Sequence, residues 1–159
     1  MRLGGRLSAA IEILADIEAR RRPVADALKD WGLSHRFAGS KDRAAIGNLV
    51  YDALRRKRSY GARMGEESPR ALVSAAALET LVPGPEALLA ALEGDRFAPD
   101  LPGAEVLSRF LSDDGSAAPA PVRADIPDWL EPHFEAAFGE DWDELDRVFL
   151  KYMSRVRAR

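Results

Sequence analysis

Residues 40–58 decide the fold, and they read SKDRAAIGNLVYDALRRKR. The apolar residues of this stretch recur at spacings of three and four, which is typical of a helix with one buried face. They are Ile46, Leu49, Val50, Ala53 and Leu54. Ser40 is expected to cap the helix, because a serine side chain can accept a hydrogen bond from the first turn. The helix should fade near Gly61.

The same helical spacing extends on both sides of this stretch, with breaks at Pro and Gly. We expect further helices at about 5–21, 23–32, 68–82, 85–92 and 103–111. Ser68 and Pro69 form a cap and first-turn pair. The Ala-rich helix that follows them has apolar residues on more than one side, so it should lie centrally in a bundle. The predicted fold class is therefore all-α, with no sheet.

Three segments are expected along the 159 residues. Residues 1–112 should form one helical domain, since a chain of this size can bury a substantial core. Residues 113–125 are rich in Ser, Asp, Gly, Ala and Pro, a composition that favours a flexible linker. Residues 126–159 should form a helical tail. Its apolar residues are Trp129, Phe134, Phe138, Leu145, Val148, Phe149 and Tyr152.

The net charge of −3 is unevenly distributed. Residues 1–70 carry 15 Lys and Arg against 9 Asp and Glu, whereas residues 71–146 carry 3 against 17. A basic half attracts nucleic-acid phosphates. An acidic half of this size either solvates a face or pairs with the basic half of the same chain.

Several chemistries are not expected from these residues. Cysteine is absent, which excludes disulfides, thiolate ligands and a cysteine nucleophile. Gly61 and Gly65 follow a helix, whereas a nucleotide-binding glycine loop follows a strand, so no cofactor is expected. His35 and His133 are far apart and should lie at the surface or at a helix end, not on a metal. The acidic run at 140–146 lacks the pattern of a calcium loop and should be a solvated first turn. We expect no catalytic residue and no metal.

A cytoplasmic location with no membrane partner is also expected. The longest apolar runs, such as 71–77, are far shorter than the ~20 residues that a membrane span requires. The beginning of the chain lacks the basic-then-apolar pattern of a signal peptide.

The end of the helix at 40–58 offers a candidate RNA-binding surface. At about 100° per residue, Tyr51, Arg55 and Arg58 fall on the flank away from the apolar face, and Arg56 and Lys57 extend the charge. Cations can neutralise phosphates while a ring stacks on an unpaired base. Arg2 and Arg6 would join the same surface if the first helix packs beside this one.

A purely structural explanation of the same residues stays open. Tyr51 could pack against a neighbouring helix, and Asp52 could pair with Arg56 at i,i+4. The Arg and Lys run could simply suit the negative end of the helix dipole.

Three stretches together resemble the NusB-like domain of the Sun/Fmu family of ribosomal-RNA cytosine-5 methyltransferases. The central one, 42–56, has Asp-Arg, then Ile, then Leu-Val-Tyr, then Leu-Arg-Arg, as the family's helix does. The start at 6–14 resembles the family's opening helix, and 126–140 is similar to its Pro-x-Trp-Leu segment. The resemblance at 42–56 adds Arg43 to the candidate residues. The expected RNA-binding set is then Arg2, Arg6, Arg43, Tyr51, Arg55, Arg56, Lys57 and Arg58.

The resemblance implies a NusB-like helical bundle that binds ribosomal RNA beside a separate catalytic domain in cis. That domain would bind S-adenosylmethionine and supply a cysteine, which the present residues lack. After Phe149 the sequence no longer matches the segment that leads into the catalytic domain in the family. The chain could therefore be a piece of a longer enzyme or a stand-alone relative. The alternatives are a NusB-type transcription antitermination factor and a protein-interaction module that docks through its acidic half.

Overall fold

The computed structural model describes residues 1–139, 141, 144 and 147, and the regular structure within these residues is entirely helical. The predicted all-α class is confirmed. The helices are α1 Leu3–Arg20, α2 Val24–Ser34, α3 Ser40–Arg55, α4 Lys57–Met64, α5 Pro69–Thr80, α6 Pro85–Leu92, α7 Ala104–Ser112, α8 Ala120–Arg123 and α9 Glu131–Phe138. The predicted last helix, with Leu145, Val148, Phe149 and Tyr152, lies outside the described residues.

Helix α5 lies at the centre of the bundle, as its composition predicts. Every residue from Ala71 to Leu78 is buried, and α1, α3, α4, α6 and α7 all pack against this helix. Small side chains let the neighbouring helices approach closely. Ser74 satisfies its buried hydroxyl by donating to the Arg70 carbonyl at 2.6 Å. The predicted Ser68 cap is present, since its side chain accepts a hydrogen bond from the Ala71 N–H at 3.3 Å.

Helix α3 begins differently from the prediction. Ser40 is its first helical residue, and the cap position is Gly39, which makes no side-chain hydrogen bond. The Gly39 carbonyl accepts from the Arg43 N–H at 2.9 Å and so closes the first turn. The expected Ser40 cap is therefore wrong by one position. Gly39 has the extended backbone of an N-cap, at φ −66° and ψ 170°, and glycine is among the residues found at this position.

The continuous helix expected to fade near Gly61 is in fact two helices. Arg56 leaves helical geometry at φ −111° and ψ 24°, and α4 starts at the next residue. The first N–H groups of α4 need acceptors from elsewhere. Asp125 supplies them, because its carboxylate accepts from the Ser59 N–H at 2.8 Å and from the Ser59 hydroxyl at 2.7 Å.

Residues 113–125, expected to be a flexible linker, contain α8 and pack against α4. Pro121 is buried, and Ala124 and Ile126 form a small cluster with Leu130 and Phe134. This packing was not expected from composition, since the segment has few large apolar side chains. The contacts that hold it in place are largely polar and come from α4.

Two arginines connect α4 and α7 reciprocally. Arg63 donates to the Phe110 carbonyl at 2.8 Å and to the Asp113 carbonyl at 2.7 Å, at the C-terminal end of α7. Arg109 on α7 donates to the Met64 carbonyl, at the end of α4, at 3.0 Å. Cations suit these ends because the last carbonyls of a helix have no partner within it.

In the described ranges no single helix is long and apolar enough to cross a bilayer. Helices α5 and α6 together are long and apolar enough for a span, but the two are bent by 110° at the break between them.

We expect Gly4→Ala to destabilise the protein by about 1–3 kcal/mol, the usual cost of overpacking. A Cβ at Gly4 would lie 2.5 Å from the Asp95 Oδ2 and 2.9 Å from the Ala98 Cα, so backbone would have to move. Gly5→Ala is the matched control. Its Cβ would meet only the flexible end of Met1 at 3.2 Å, and alanine favours helix by up to ~1 kcal/mol. Urea denaturation followed by circular dichroism measures both, and equal stability of the two variants would contradict the expected close contact.

We also expect a pH dependence from the α4 cap. Burial raises the pKa of the Asp125 carboxyl, and the hydrogen bonds from Ser59 only partly offset this. Between the unfolded value of 3.8 and the raised pKa, the folded state binds more protons than the unfolded state. Stability therefore falls as pH rises through this window.

Asp125→Asn keeps the acceptor for Ser59 and cannot ionise, so the wild type should gain stability relative to this variant as the pH falls through the window. Asp125→Ala should lose about 1 kcal/mol or more near neutral pH, because the α4 cap is removed. Chemical denaturation at several pH values tests both expectations. A stability difference between wild type and Asp125→Asn that does not vary with pH would rule out this titration.

Candidate nucleic-acid interface

Helix α1 packs along α3, so the two basic segments expected to bind RNA do lie on neighbouring helices. Their first turns meet at Asp42. This carboxylate pairs with Arg6 at 2.8 Å and with the ammonium of Met1 at 3.1 Å. Those two cations lower the pKa of the Asp42 carboxyl, with the Arg6 hydrogen bond as the largest cause. Arg6 is thus at the expected surface but has a carboxylate partner.

The cations at the end of α3 and the start of α4 also have partners. Arg55 pairs with Asp52 one turn earlier. Arg56 reaches Glu79 of α5 at 3.3 Å, and Lys57 reaches Glu18 of α1 at 2.8 Å. Arg56 also bonds to Asp52 through its backbone, since the Arg56 N–H donates to the Asp52 carbonyl at 3.1 Å. These ion pairs are partly exposed, so each is weak and can exchange with other anions.

Arg58 holds the tail in place. Its guanidinium donates to the Ile126 carbonyl at 2.6 Å and pairs with Glu131 at 2.9 Å and Asp128 at 3.1 Å. The side chain is only 21% exposed. Of the cations at the end of α3, Arg58 is therefore the least available to a phosphate.

Three residues of the expected RNA-binding set, Arg2, Arg43 and Tyr51, have side chains exposed to a ligand. Tyr51 is 49% exposed, so about half of its surface is open to a ligand. Arg2 and Arg43 are exposed, and neither forms an ion pair with a described residue. Arg43 lies at the α2 side of α3, where its Cδ approaches Gly32. The basic surface thus extends toward the start of α1 and the end of α2.

A large groove opens at that end of the bundle. It has a volume of about 1010 Å³ and lies between the first turns of α1, the end of α2 and the turn that follows α6. Its side-chain lining is mostly aromatic or charged. The aromatic and charged residues that line it are Arg2, Glu12, Trp31, His35, Phe37, Asp95, Arg96 and Phe97.

The α2 wall is an aromatic cluster. Trp31 and His35 stack with centroids 4.3 Å apart and planes 9° from parallel, and Phe37 meets His35 edge-on at 5.7 Å. His35 is the C-cap residue of α2, and its Nδ1 lies 2.9 Å from the Trp31 carbonyl. A carbonyl can only accept, so Nδ1 carries the proton and donates. Phe37 is 73% exposed above this pair.

The opposite wall is the turn after α6, which is fixed to α1. Ser8 donates to the Phe97 carbonyl at 2.7 Å, and the Asp95 carboxylate accepts from the Phe97 N–H at 3.0 Å. Arg96 lies over the Phe97 ring at 4.6 Å, and the ring is 59% exposed. Two buried polar atoms of the groove residues, the Trp31 Nε1 and the Asp95 Oδ2, have no hydrogen-bond partner in the described part of the chain.

Sequence reasoning selected only Arg2 among the groove residues. It treated His35 as a surface or helix-end histidine, and it is indeed at a helix end. Phe37, Arg96 and Phe97 lie in loops, where helical periodicity carries no information. The one signal available was the adjacency of an arginine and a phenylalanine at 36–37 and again at 96–97. Within the residues that the structure describes, no group of three or more His, Asp or Glu side chains could hold a metal.

Comparison with protein-family models, with curated proteins and with solved structures found no match to this chain. The resemblance to NusB-like domains therefore rests on the motifs quoted above.

The free energy of unfolding of two variants can separate the structural role of Arg58 from that of the more exposed Arg55. Arg58→Ala should cost about 1–3 kcal/mol, because the Ile126 carbonyl and Glu131 lose a charged donor. Arg55→Ala removes the same group from a partly exposed pair and should stay within about 0.5 kcal/mol of wild type. Denaturant unfolding and limited proteolysis around 113–130 measure the effect. Equal stability of the two variants would contradict the role given to Arg58.

Proposed function

We propose that this chain is a non-catalytic RNA-binding domain that helps to seat ribosomal RNA for a cytosine-5 methyltransferase domain in cis. The observation that carries the proposal is the cluster of exposed arginines and phenylalanines at one end of the bundle. Arg2, Arg36, Arg43 and Arg96 have no carboxylate partner among the described residues. Phe37 and Phe97 stand exposed between them. Cations interleaved with exposed rings are typical of binding to unpaired RNA.

Ribosomal RNA as the target, and the methyltransferase as the partner, come from the resemblance at 6–14, 42–56 and 126–140. The absence of cysteine supports the non-catalytic role, since carbon-5 of cytosine becomes nucleophilic only after a thiolate adds to the ring. S-adenosylmethionine would then belong to the partner domain.

Ion pairs within the chain reduce the number of arginines that can contact RNA. Glu79, Asp128 and Glu131, all from the acidic half, neutralise Arg56 and Arg58. The end of α3 therefore offers fewer available cations than the sequence suggests. We place the main phosphate contacts at Arg2 and Arg43, with Tyr51 and Arg55 on the flank.

The salt dependence of RNA affinity tests this placement. Each phosphate contact releases a counterion, so Arg2→Ala and Arg43→Ala should each flatten the slope of log affinity against log salt by about one. Fluorescence anisotropy with a labelled hairpin RNA that has a single-stranded loop measures the slope. Arg20→Ala is the matched control, because Arg20 is exposed at the other end of α1, roughly 27 Å from its start at 1.5 Å per residue.

The control should leave the slope unchanged, and Arg58→Ala should do the same provided that it stays folded. Equal effects of Arg2→Ala and Arg20→Ala would show that only net charge matters. A failure of wild type to bind RNA at low salt would overturn the proposed function.

One observation favours protein docking as a second function. Trp129 is 73% exposed and Phe138 is 45% exposed in the tail that follows the bundle. Aromatic residues are enriched at protein–protein interfaces. Pull-down of a partner that survives nuclease treatment and is lost on Trp129→Ala would support docking through this tail. The acidic half is less suited to docking, because several of its carboxylates already pair with the chain's own arginines.

A further inference from the structure

We infer that the groove between α1, the end of α2 and the turn after α6 binds one unpaired nucleobase of an RNA strand. The base would stack against Phe37 and Phe97, with the neighbouring phosphates on Arg2 and Arg96. This inference rests on the RNA-binding function proposed above and names where that RNA is held.

The dimensions of the groove suit such a ligand. Its volume of about 1010 Å³ is at the upper end of the range for small-molecule sites, so a nucleotide and its flanking sugar-phosphate fit within it. The walls are held by structure on both sides. The Trp31 and His35 stack supports Phe37, and the Ser8 hydrogen bond fixes the turn that carries Phe97. Little ordering is needed on binding, which favours affinity.

Both phenylalanines present faces that have no partner in the described core. Phe37 is 73% exposed and Phe97 is 59% exposed, although each lies beside an aromatic or cationic group. A purine or pyrimidine supplies the flat apolar surface that would cover them. The Arg96 guanidinium over the Phe97 ring offers a second plane for stacking.

The charges around the groove favour an anionic ligand. Arg2 and Arg96 line it, while Arg36 and Arg43 stand close in sequence or in space to its α2 wall. The acidic lining residues are Glu12 and Asp95. Asp95 is buried against the first turn of α1, where the positive end of the helix dipole offsets its charge. Only Glu12 then opposes the arginines at the exposed rim.

The arginines also decide between two possible occupants of the groove. An apolar peptide would cover the rings of Phe37 and Phe97 but would leave Arg2 and Arg96 without an anionic partner.

The experiment uses the full chain and short single-stranded RNA homopolymers. Phe37→Leu and Phe97→Leu keep apolar bulk and remove the ring, so each should weaken binding by about 5- to 150-fold, the range for loss of one stacking contact. Phe37→Tyr keeps the ring and should bind as wild type does. Phe138→Leu is the matched control, since it removes an exposed phenylalanine that does not line the groove.

A second readout reports on the groove directly. The chain has three tryptophans, so Trp129→Phe combined with Trp142→Phe leaves Trp31 as the only one. Its emission should change on RNA titration with the same midpoint as anisotropy. If the double variant does not fold, chemical-shift changes of the Trp31 indole N–H in the wild type replace this measurement.

The outcomes separate the two proposals. RNA binding that Arg2→Ala weakens, but that Phe37→Leu and Phe97→Leu leave unchanged, overturns the groove and retains the RNA-binding function. Equal weakening by Phe37→Leu and Phe138→Leu also overturns the groove. Absence of any RNA binding overturns both. The base-binding site is supported if Phe37→Leu or Phe97→Leu weakens RNA binding while Phe37→Tyr keeps it. A change of Trp31 emission on RNA titration supports it as well.

Discussion

The burial of α5 on every side is the constraint on which the rest of the structure depends. A helix with no exposed face between Ala71 and Leu78 must be covered all round, and α1, α3, α4, α6 and α7 do so. Each of them therefore has to turn an apolar stripe inward and its charges outward. This arrangement places the charged groups at the ends and edges of the bundle.

At one edge, charges from distant parts of the chain meet and neutralise each other. Arg56 pairs with Glu79, and Arg58 pairs with Glu131 and Asp128. The acidic half therefore supplies ion-pair partners for the basic half. Asp125 caps α4 in the same region. Arginine clusters are often interpreted as ligand sites from sequence, but here Arg58 attaches the tail to the bundle. Its neighbours Arg55, Arg56 and Lys57 pair with carboxylates on α3, α5 and α1.

Local patterns were enough to predict the helices but not the connections between them. The apolar face of α3, the Ser68 and Pro69 pair and the Ala-rich run all appear in the structure as expected. The break at Arg56 was missed, because Asp125, which caps α4, lies 66 positions after the Ser59 that it contacts. Of the candidate site, Tyr51, Arg2 and Arg43 could be chosen for their chemistry. Phe37 and Phe97 could not, since only the folded chain brings their loops to one groove.

An acidic protein can still bind RNA if its positive groups are left without partners at one place. Electrostatic attraction is screened beyond about 10 Å at moderate salt, so a phosphate responds to nearby arginines more than to the net charge of −3. Carboxylates that already pair with Arg56 and Arg58 repel less than free ones would. Pairing at the α4 edge therefore favours the other end of the bundle as the surface that we propose for RNA. There, Arg2, Arg43 and Arg96 have no carboxylate partner among the described residues and stand beside two exposed rings.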